Sequence, residues 1–294
     1  MTPGPYRFLV IFAALSVLAP AVARAAGPGD REVARMTSFG GACPKCELSG
    51  RKMAGAHFMG ADFSGSALVG SDLREARFLG SNFTGANLSR ADLTDATIYG
   101  ATFTKANLSQ ARLRSAQARG VTFSGANLTN ADLSDAGATG STFIKAILTK
   151  ASFRSAEMQG ANLSRAEAKG ANFRDARMTA AVLVGGQFNG ASFRSAEMNM
   201  AVLTGGSFHG ADFKDAELRR TVIAGVDLSH AKGLTQDQVD EACADPRTRL
   251  PAKLEAHGCA NIHLIVHRAG PAAWPAPQAP PARPPPRYLI VPRF

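Results

Sequence analysis

Ala171-Asn-Phe-Arg-Asp-Ala-Arg-Met-Thr-Ala-Ala-Val-Leu-Val-Gly-Gly-Gln-Phe-Asn-Gly190 runs directly into Ala191-Ser-Phe-Arg-Ser-Ala-Glu-Met-Asn-Met-Ala-Val-Leu-Thr-Gly-Gly-Ser-Phe-His-Gly210. The two stretches match at a shift of 20 residues, and within each a large apolar residue stands at every fifth position. Followed outward, that register holds from Leu48 to Leu228 without a slip. Of its 37 positions, 34 are Leu, Phe, Met or Ile, and the exceptions are Ala118, Ala138 and Ala168. Two residues before the centre stands Ala in 26 of the 37 cases, so the unit reads A-[DN]-[LF]-[ST]-x, as in Ala86-Asn87-Leu88-Ser89-Arg90. A period of five suits neither an amphipathic helix nor an alternating strand, and a fixed period over this length marks a repeat architecture.

The shift of 20 sets the next order of symmetry. Phenylalanines recur at it in two series, Phe63, Phe83, Phe103, Phe123 and Phe143, then Phe153, Phe173, Phe193 and Phe213. Glycines do the same from Gly60 to Gly160. If four units close one coil, each series becomes a vertical stack of like side chains, with small residues leaving room for the large ones. The expected form is a square, solid β-helix without a central pore.

This pattern resembles the pentapeptide-repeat family over residues 46–230. The resemblance implies an all-β solenoid, a right-handed quadrilateral β-helix of about nine coils with short helical caps. With coils about 4.8 Å apart the rod would be roughly 44 Å long, and its two ends need covering. Asp30 to Met36 can form a short helix upstream, within an N-terminal cap assigned to residues 26–45. Downstream, a C-terminal helical cap is expected over 231–260. Thr235 and Gln238 have capping-box spacing there, with Leu234 and Val239 placed as a hydrophobic staple.

Residues 1–25 have the form of a secretory signal peptide: Arg7, an apolar run from Phe8 to Leu18, the break at Pro20, and a small-residue cleavage site at Ala21-Val22-Ala23 or Ala23-Arg24-Ala25. An apolar run of that length is too short to span a bilayer, so no span is expected after cleavage. The mature protein is then periplasmic or secreted, in an oxidising compartment. The segment 261–294 is rich in proline and reads as a flexible tail. Charged residues are 19% and apolar residues 45%, a composition that folds rather than stays disordered. The formal charge of +10 leaves a basic chain after loss of Arg7 and Arg24. That excess suits anionic partners, or a moderately basic soluble surface.

Four cysteines, Cys43, Cys46, Cys243 and Cys259, allow three pairings. Two lie at each end of the repeat tract, so Cys43–Cys46 and Cys243–Cys259 is the economical choice. Cys-Pro-Lys-Cys also has the spacing of a redox motif, and Cys259, His263 and His267 with His257 have a possible metal-ligand spacing. Export favours disulfides over both. Arg74, Arg114, Arg154, Arg174, Arg194 and Lys214 fall in one column of the 20-residue repeat. Such a column is either a strip for an anionic polymer or one side of a salt-bridge ladder with Glu75, Asp95, Asp135, Asp175 and Asp215. No catalytic constellation, cofactor motif or metal set emerges.

The reading is therefore an exported, non-enzymatic scaffold or binding rod of the cell envelope. Its expected partner is a protein or an anionic envelope polymer rather than nucleic acid. The resemblance carries one alternative, a DNA mimic that binds type II topoisomerase, against which the basic charge and the leader both count. The cysteines carry another, a thiol-redox or metal-binding protein.

Overall fold

The computed structural model describes residues 40–256 and 258. Isolated parallel bridges join residue i to residue i+20 from Ala42↔Asp62 to Asp212↔Lys232, so four pentapeptides close each coil. Among the described residues only β1 (His57–Met59) and β2 (Arg77–Leu79) extend to three-residue strands, paired in parallel at the same shift. Elsewhere a turn follows every centre and leaves single residues to carry the ladder.

The unit around Phe63 shows why the sequence is written as it is. The Asp62 N–H donates back to the Gly41 carbonyl (3.1 Å), and the Phe63 and Gly65 N–H groups donate forward to Asn82 and Thr84 (2.7 and 2.9 Å). The Ser66 N–H closes the turn onto the Phe63 carbonyl (3.1 Å). The remaining donor, the Ser64 N–H, is taken by Asp62 Oδ1 (3.0 Å). All five N–H groups of the repeat are thus satisfied, as buried backbone requires. The same role is filled by Asn82, Asn87, Asp92, Asn107, Asn127, Asp132 and Asn162, which explains the Asp/Asn preference before each centre. Every fifth residue from Lys45 to Gly225 has positive φ, as the third residue of a type II turn must.

The centres are fully enclosed and stack as the columns predict. Along the first series, successive ring centroids from Phe63 to Phe143 lie 5.0, 4.7, 5.3 and 4.9 Å apart. Those from Phe153 to Phe213 lie 5.1 Å apart at each step. The two series stand on opposite walls of the square, and each faces leucine: Leu93 and Leu113 across from the first, Leu163 and Leu183 across from the second. The aromatic load changes walls at one coil, where Phe143 and Phe153 meet edge to face at 5.6 Å. Ala138, the centre just before Phe143, lies one coil below Met158, and Ala168 lies one coil above Leu148, so the two small centres flank that crowded level. They break the large-residue rule where the core volume must be balanced.

The same volume logic explains two glycines. A Cβ on Gly186 or Gly206, where Ala is the usual residue, would lie 2.5 or 2.7 Å from the Phe188 or Phe208 ring. Gly206→Ala, a change toward the repeat consensus, is expected to destabilise by about 1–3 kcal/mol through overpacking. Chemical denaturation of the variant reads this directly; an unchanged midpoint would mean that the Phe208 ring can yield.

The ladder opens at Ala42, inside the segment assigned to the N-terminal cap, with Cys43 already in a centre position. The expected helix over Asp30 to Met36 lies outside the described residues. At the other end the five-residue register stops after Lys232. Helix α1 (Gln236–Glu241) follows, with Thr235 as N-cap and Gln238 completing the capping box. Gln238 Nε2 donates to the Phe213 and Ala216 carbonyls (3.0 and 2.7 Å), and Val239 is buried. The chain then rejoins the stack through Val222↔Cys243 and Asp227↔Arg249, so the cap continues the ladder past the helix.

Candidate interaction surfaces

Because centres and the residues two before them point inward, each pentapeptide leaves outward positions just before and just after its centre, plus the corner. Four faces result, and they differ sharply in charge.

The third face carries the predicted basic column. The structure stacks Arg74, Arg114, Arg154, Arg174, Arg194 and Lys214 along one edge, and five of them meet carboxylates. Arg74 pairs with Asp72 at 2.7 Å and Arg194 with Asp212 at 3.1 Å. Arg154 and Arg174 share Asp175 at 3.8 and 3.3 Å, and Arg114 lies 3.9 Å from both Asp132 and Asp135. The Lys214 backbone N–H donates to Asp212 Oδ1 (3.0 Å). The Arg74 hydrogen bond holds the Asp72 carboxyl below its usual range, and Asp72 in turn raises the guanidinium. The column and its acidic neighbours interleave in sign. Exposed pairs of this kind add little stability.

The first face is its opposite. From Asn82 to Ala224 its outward positions flanking the centres carry no charged residue: Asn82 and Thr84, then Thr, Ser, Asn and Ile, then Val182, Val184, Val202, Thr204, Val222 and Ala224. Val184 is 38% exposed, and on the adjoining corner Met200 is 49% exposed. That corner column holds Gly80, Gly100, Gly120, Gly140 and Gly160 below Ala180 and Met200, so the edge is low and smooth. The signal was present in the sequence as two charge-free columns. It emerges only when residues are sorted by face rather than by motif.

Cys43 and Cys46 form a disulfide, with Cα atoms 5.4 Å apart. Cys43 takes a buried centre position, and its N–H donates into the ladder at the Asp62 carbonyl (2.7 Å). The pair thus tightens the first described turn of the helix. Cys243 is also disulfide-bonded; Cys259, expected as its partner, lies outside the described residues with His257, His263 and His267. Among the described residues no group of three or more His, Cys, Asp or Glu is placed to hold a metal ion.

The C-terminal cap is pinned by Asp245. Its Oδ1 accepts the Gly225 N–H (2.7 Å), and its Oδ2 accepts Arg247 Nε and Nη2 (2.9 and 2.8 Å). The Arg247 hydrogen bond is the largest cause that lowers this carboxyl to about 2. The folded value lies below the unfolded one, so the stabilisation is complete above about pH 4 and disappears as pH falls toward 2. The Gly225 amide resonance is therefore expected to titrate with an acidic midpoint near 2. A midpoint close to 4 would show that the cap contact is absent in solution.

Sequence comparison matches this chain to pentapeptide repeats in eight overlapping copies spanning residues 45–232. No functionally curated protein matches the sequence. Among solved structures, it is similar to HetL, a pentapeptide repeat protein involved in heterocyst differentiation regulation from the cyanobacterium Nostoc sp. strain PCC 7120. That match has 24% identity over 78% of this chain and 100% of HetL, with a TM-score of 0.62. A pentapeptide repeat protein from the Arabidopsis thaliana thylakoid lumen is 34% identical over 36% of this chain and 70% of its own, with a TM-score of 0.28. Full-length QnrB1, a plasmid-mediated fluoroquinolone resistance protein, is 20% identical over 70% of this chain and 94% of its own, with a TM-score of 0.23. The HetL superposition supports the fold, while the two looser ones carry no argument. With its unbroken five-residue register, four-sided coils and eight matched repeat copies, the chain belongs to the pentapeptide-repeat family and is a right-handed quadrilateral β-helix.

Proposed function

We propose that this protein is an exported, non-enzymatic scaffold of the cell envelope that binds a protein partner along its first face. The observation that carries the reading is the charge-free surface from Asn82 to Ala224. The third and fourth faces carry rows of ions, and the second has Glu47, Glu167, Lys169 and Asp227. The first presents Thr and Ser grading into Val, between a glycine-lined corner and one that bears Lys105, Lys145 and Arg165. A flat, weakly hydrated surface of this kind is what a protein interface desolvates at least cost, whereas charged faces stay in water. The rod gives it rigidity, because every inward and corner position is already committed to packing and turns. The Cys43–Cys46 disulfide suits an oxidising compartment, and the leader-like residues 1–25 supply the route there.

Two measurements test the proposal. Cell fractionation is expected to find the protein in the envelope fraction, and cytosolic protein would remove export from the reading. Affinity capture with the full chain is compared with Val202→Glu and with Arg174→Ala on the third face. Both variants are expected to keep stability within about 0.5 kcal/mol, since both side chains point outward. The captured partner should be lost with Val202→Glu and retained with Arg174→Ala; the reverse pattern would move the interface to the basic column.

A further inference from the structure

On the fourth face, Gly137 occupies a ladder position between Gln117 and Glu157. Nothing in the fold requires glycine there. Its φ is not in the left-handed region, and a Cβ built on it would meet no atom within 4 Å. Glycine also weakens a ladder, by chain entropy and by leaving nothing to pack. Other members of the column from Arg77 to Glu217 all carry side chains. At this missing side chain lies a hollow of about 550 Å³ in the flank of the rod, a volume in the range of small-ligand sites.

The lining has a definite chemistry. Tyr99, 40% exposed, stands at one side, and its hydroxyl donates to Gln117 Oε1. Arg119 supplies donors and makes no ion pair within 4.0 Å among the described residues. Asp135 and Glu157 supply acceptors on the opposite side. Asp135 and Ser155 also line a second depression of about 430 Å³ around the corner on the third face, between Arg114 and Arg154. The two hollows therefore share a rim. Together they form a polar track that passes from one face of the rod to the next, where serines replace arginine at position 134 and a carboxylate at position 155.

We propose that this track is a glycan-binding site that seats a hydroxyl-rich sugar chain, with one ring against Tyr99 above Gly137. A sugar hydroxyl both donates and accepts, and the hollow offers amide, guanidinium and carboxylate groups side by side to meet it. An aromatic face packs against the C–H side of a sugar ring, and its tethered hydroxyl holds the ring in place. A nucleic acid fits poorly, because Asp135 and Glu157 would face its phosphates. A protein side chain buried here would find no aliphatic wall. The site is separate from the charge-free first face, so the two readings stand or fall independently.

The test is calorimetric titration of the full-length protein with three defined oligosaccharides: a β-1,4-linked N-acetylglucosamine tetramer, cellotetraose and trigalacturonate. Binding of at least one is expected. Gly137→Leu fills the hollow at a position where an added Cβ meets no atom within 4 Å. It should leave the melting temperature at or above that of the parent while weakening binding tenfold or more. Tyr99→Ala is expected to weaken it about tenfold, the value of one lost ring contact, and Tyr99→Phe, which keeps the ring but loses its tether to Gln117, should weaken it less. If trigalacturonate binds best, Arg119→Gln should remove that preference, which marks the glycan as acidic; if the neutral sugars bind best, the glycan is neutral. Failure of all three sugars at about 10 mM, a concentration at which a Kd of about 1 mM is well saturated, would overturn the proposal. So would binding that Gly137→Leu leaves unchanged.

Discussion

Deleting the twenty residues 171–190 is expected to leave a folded rod one coil shorter, whereas deleting one residue from a central coil is expected to abolish cooperative folding. The coil deletion joins Gly170 to Ala191 in register. Phe153 then stacks on Phe193, Met158 on Met198, Leu163 on Leu203 and Ala168 on Phe208. Each new pair repeats the residue types of the pair it replaces, and Phe208 keeps the Gly206 that its ring requires. Coils touch only their neighbours, so the loss is that of one repeat and its interfaces. A one-residue deletion does something different. It moves every following centre toward a corner and exposes phenylalanines while burying turn residues. Circular dichroism and thermal melts separate the outcomes, and small-angle scattering should show a rod shorter by about 4.8 Å for the coil deletion. A coil deletion that fails to fold, or a single deletion with parental stability, would show that stability does not reside in the register.

Phe123→Ala is expected to destabilise by about 3–5 kcal/mol, a large share of the margin of a typical domain. Phe123 is fully buried between Phe103 and Phe143, with centroids at 5.3 and 4.9 Å. Its removal leaves a void that the neighbouring coils cannot close, because both are fixed by ladder bonds. The cost adds the lost transfer energy to the cavity. Phe123→Leu should cost far less, since leucine is what the same wall holds at 163, 183 and 203. Equilibrium denaturation of both variants measures the difference. Equal losses for Ala and Leu would mean that the aromatic stacks contribute specific contact rather than volume.

The core of this protein is legible in its sequence to an unusual degree, for a local reason. Each pentapeptide carries its own turn and its own inward pair, and units such as those at Asp62, Asn82 and Asn127 also carry an Asp or Asn that holds the turn N–H. The coil then follows from repetition at a fixed shift, with no long-range choice of partner strand. The helix α1 was legible for a similar reason, since a capping box is a contact between residues three apart. Surfaces are another matter. The basic column was visible as a row of arginines, but whether it forms a strip or a ladder depends on which carboxylates fall within reach. Arg154, for example, finds Asp175 in the next coil rather than a residue near it in the chain. The Ala138 and Ala168 exceptions were equally mute until the stacks showed phenylalanine changing walls between them.

The sequence by itself determined the five-residue register, the four-sided coil, the family, and the positions of the turns and inward side chains. These are set by backbone hydrogen bonding and side-chain volume within a few residues, repeated at one spacing. Only the tertiary structure decided which outward residues become neighbours: the uncharged first face, the sign-interleaved third face, and the hollow over Gly137. Those depend on residues 20, 40 or 60 positions apart coming to lie a few ångströms from one another. The local rules of the repeat place no constraint on what stands outward, and that freedom is where the specificity of the rod is written.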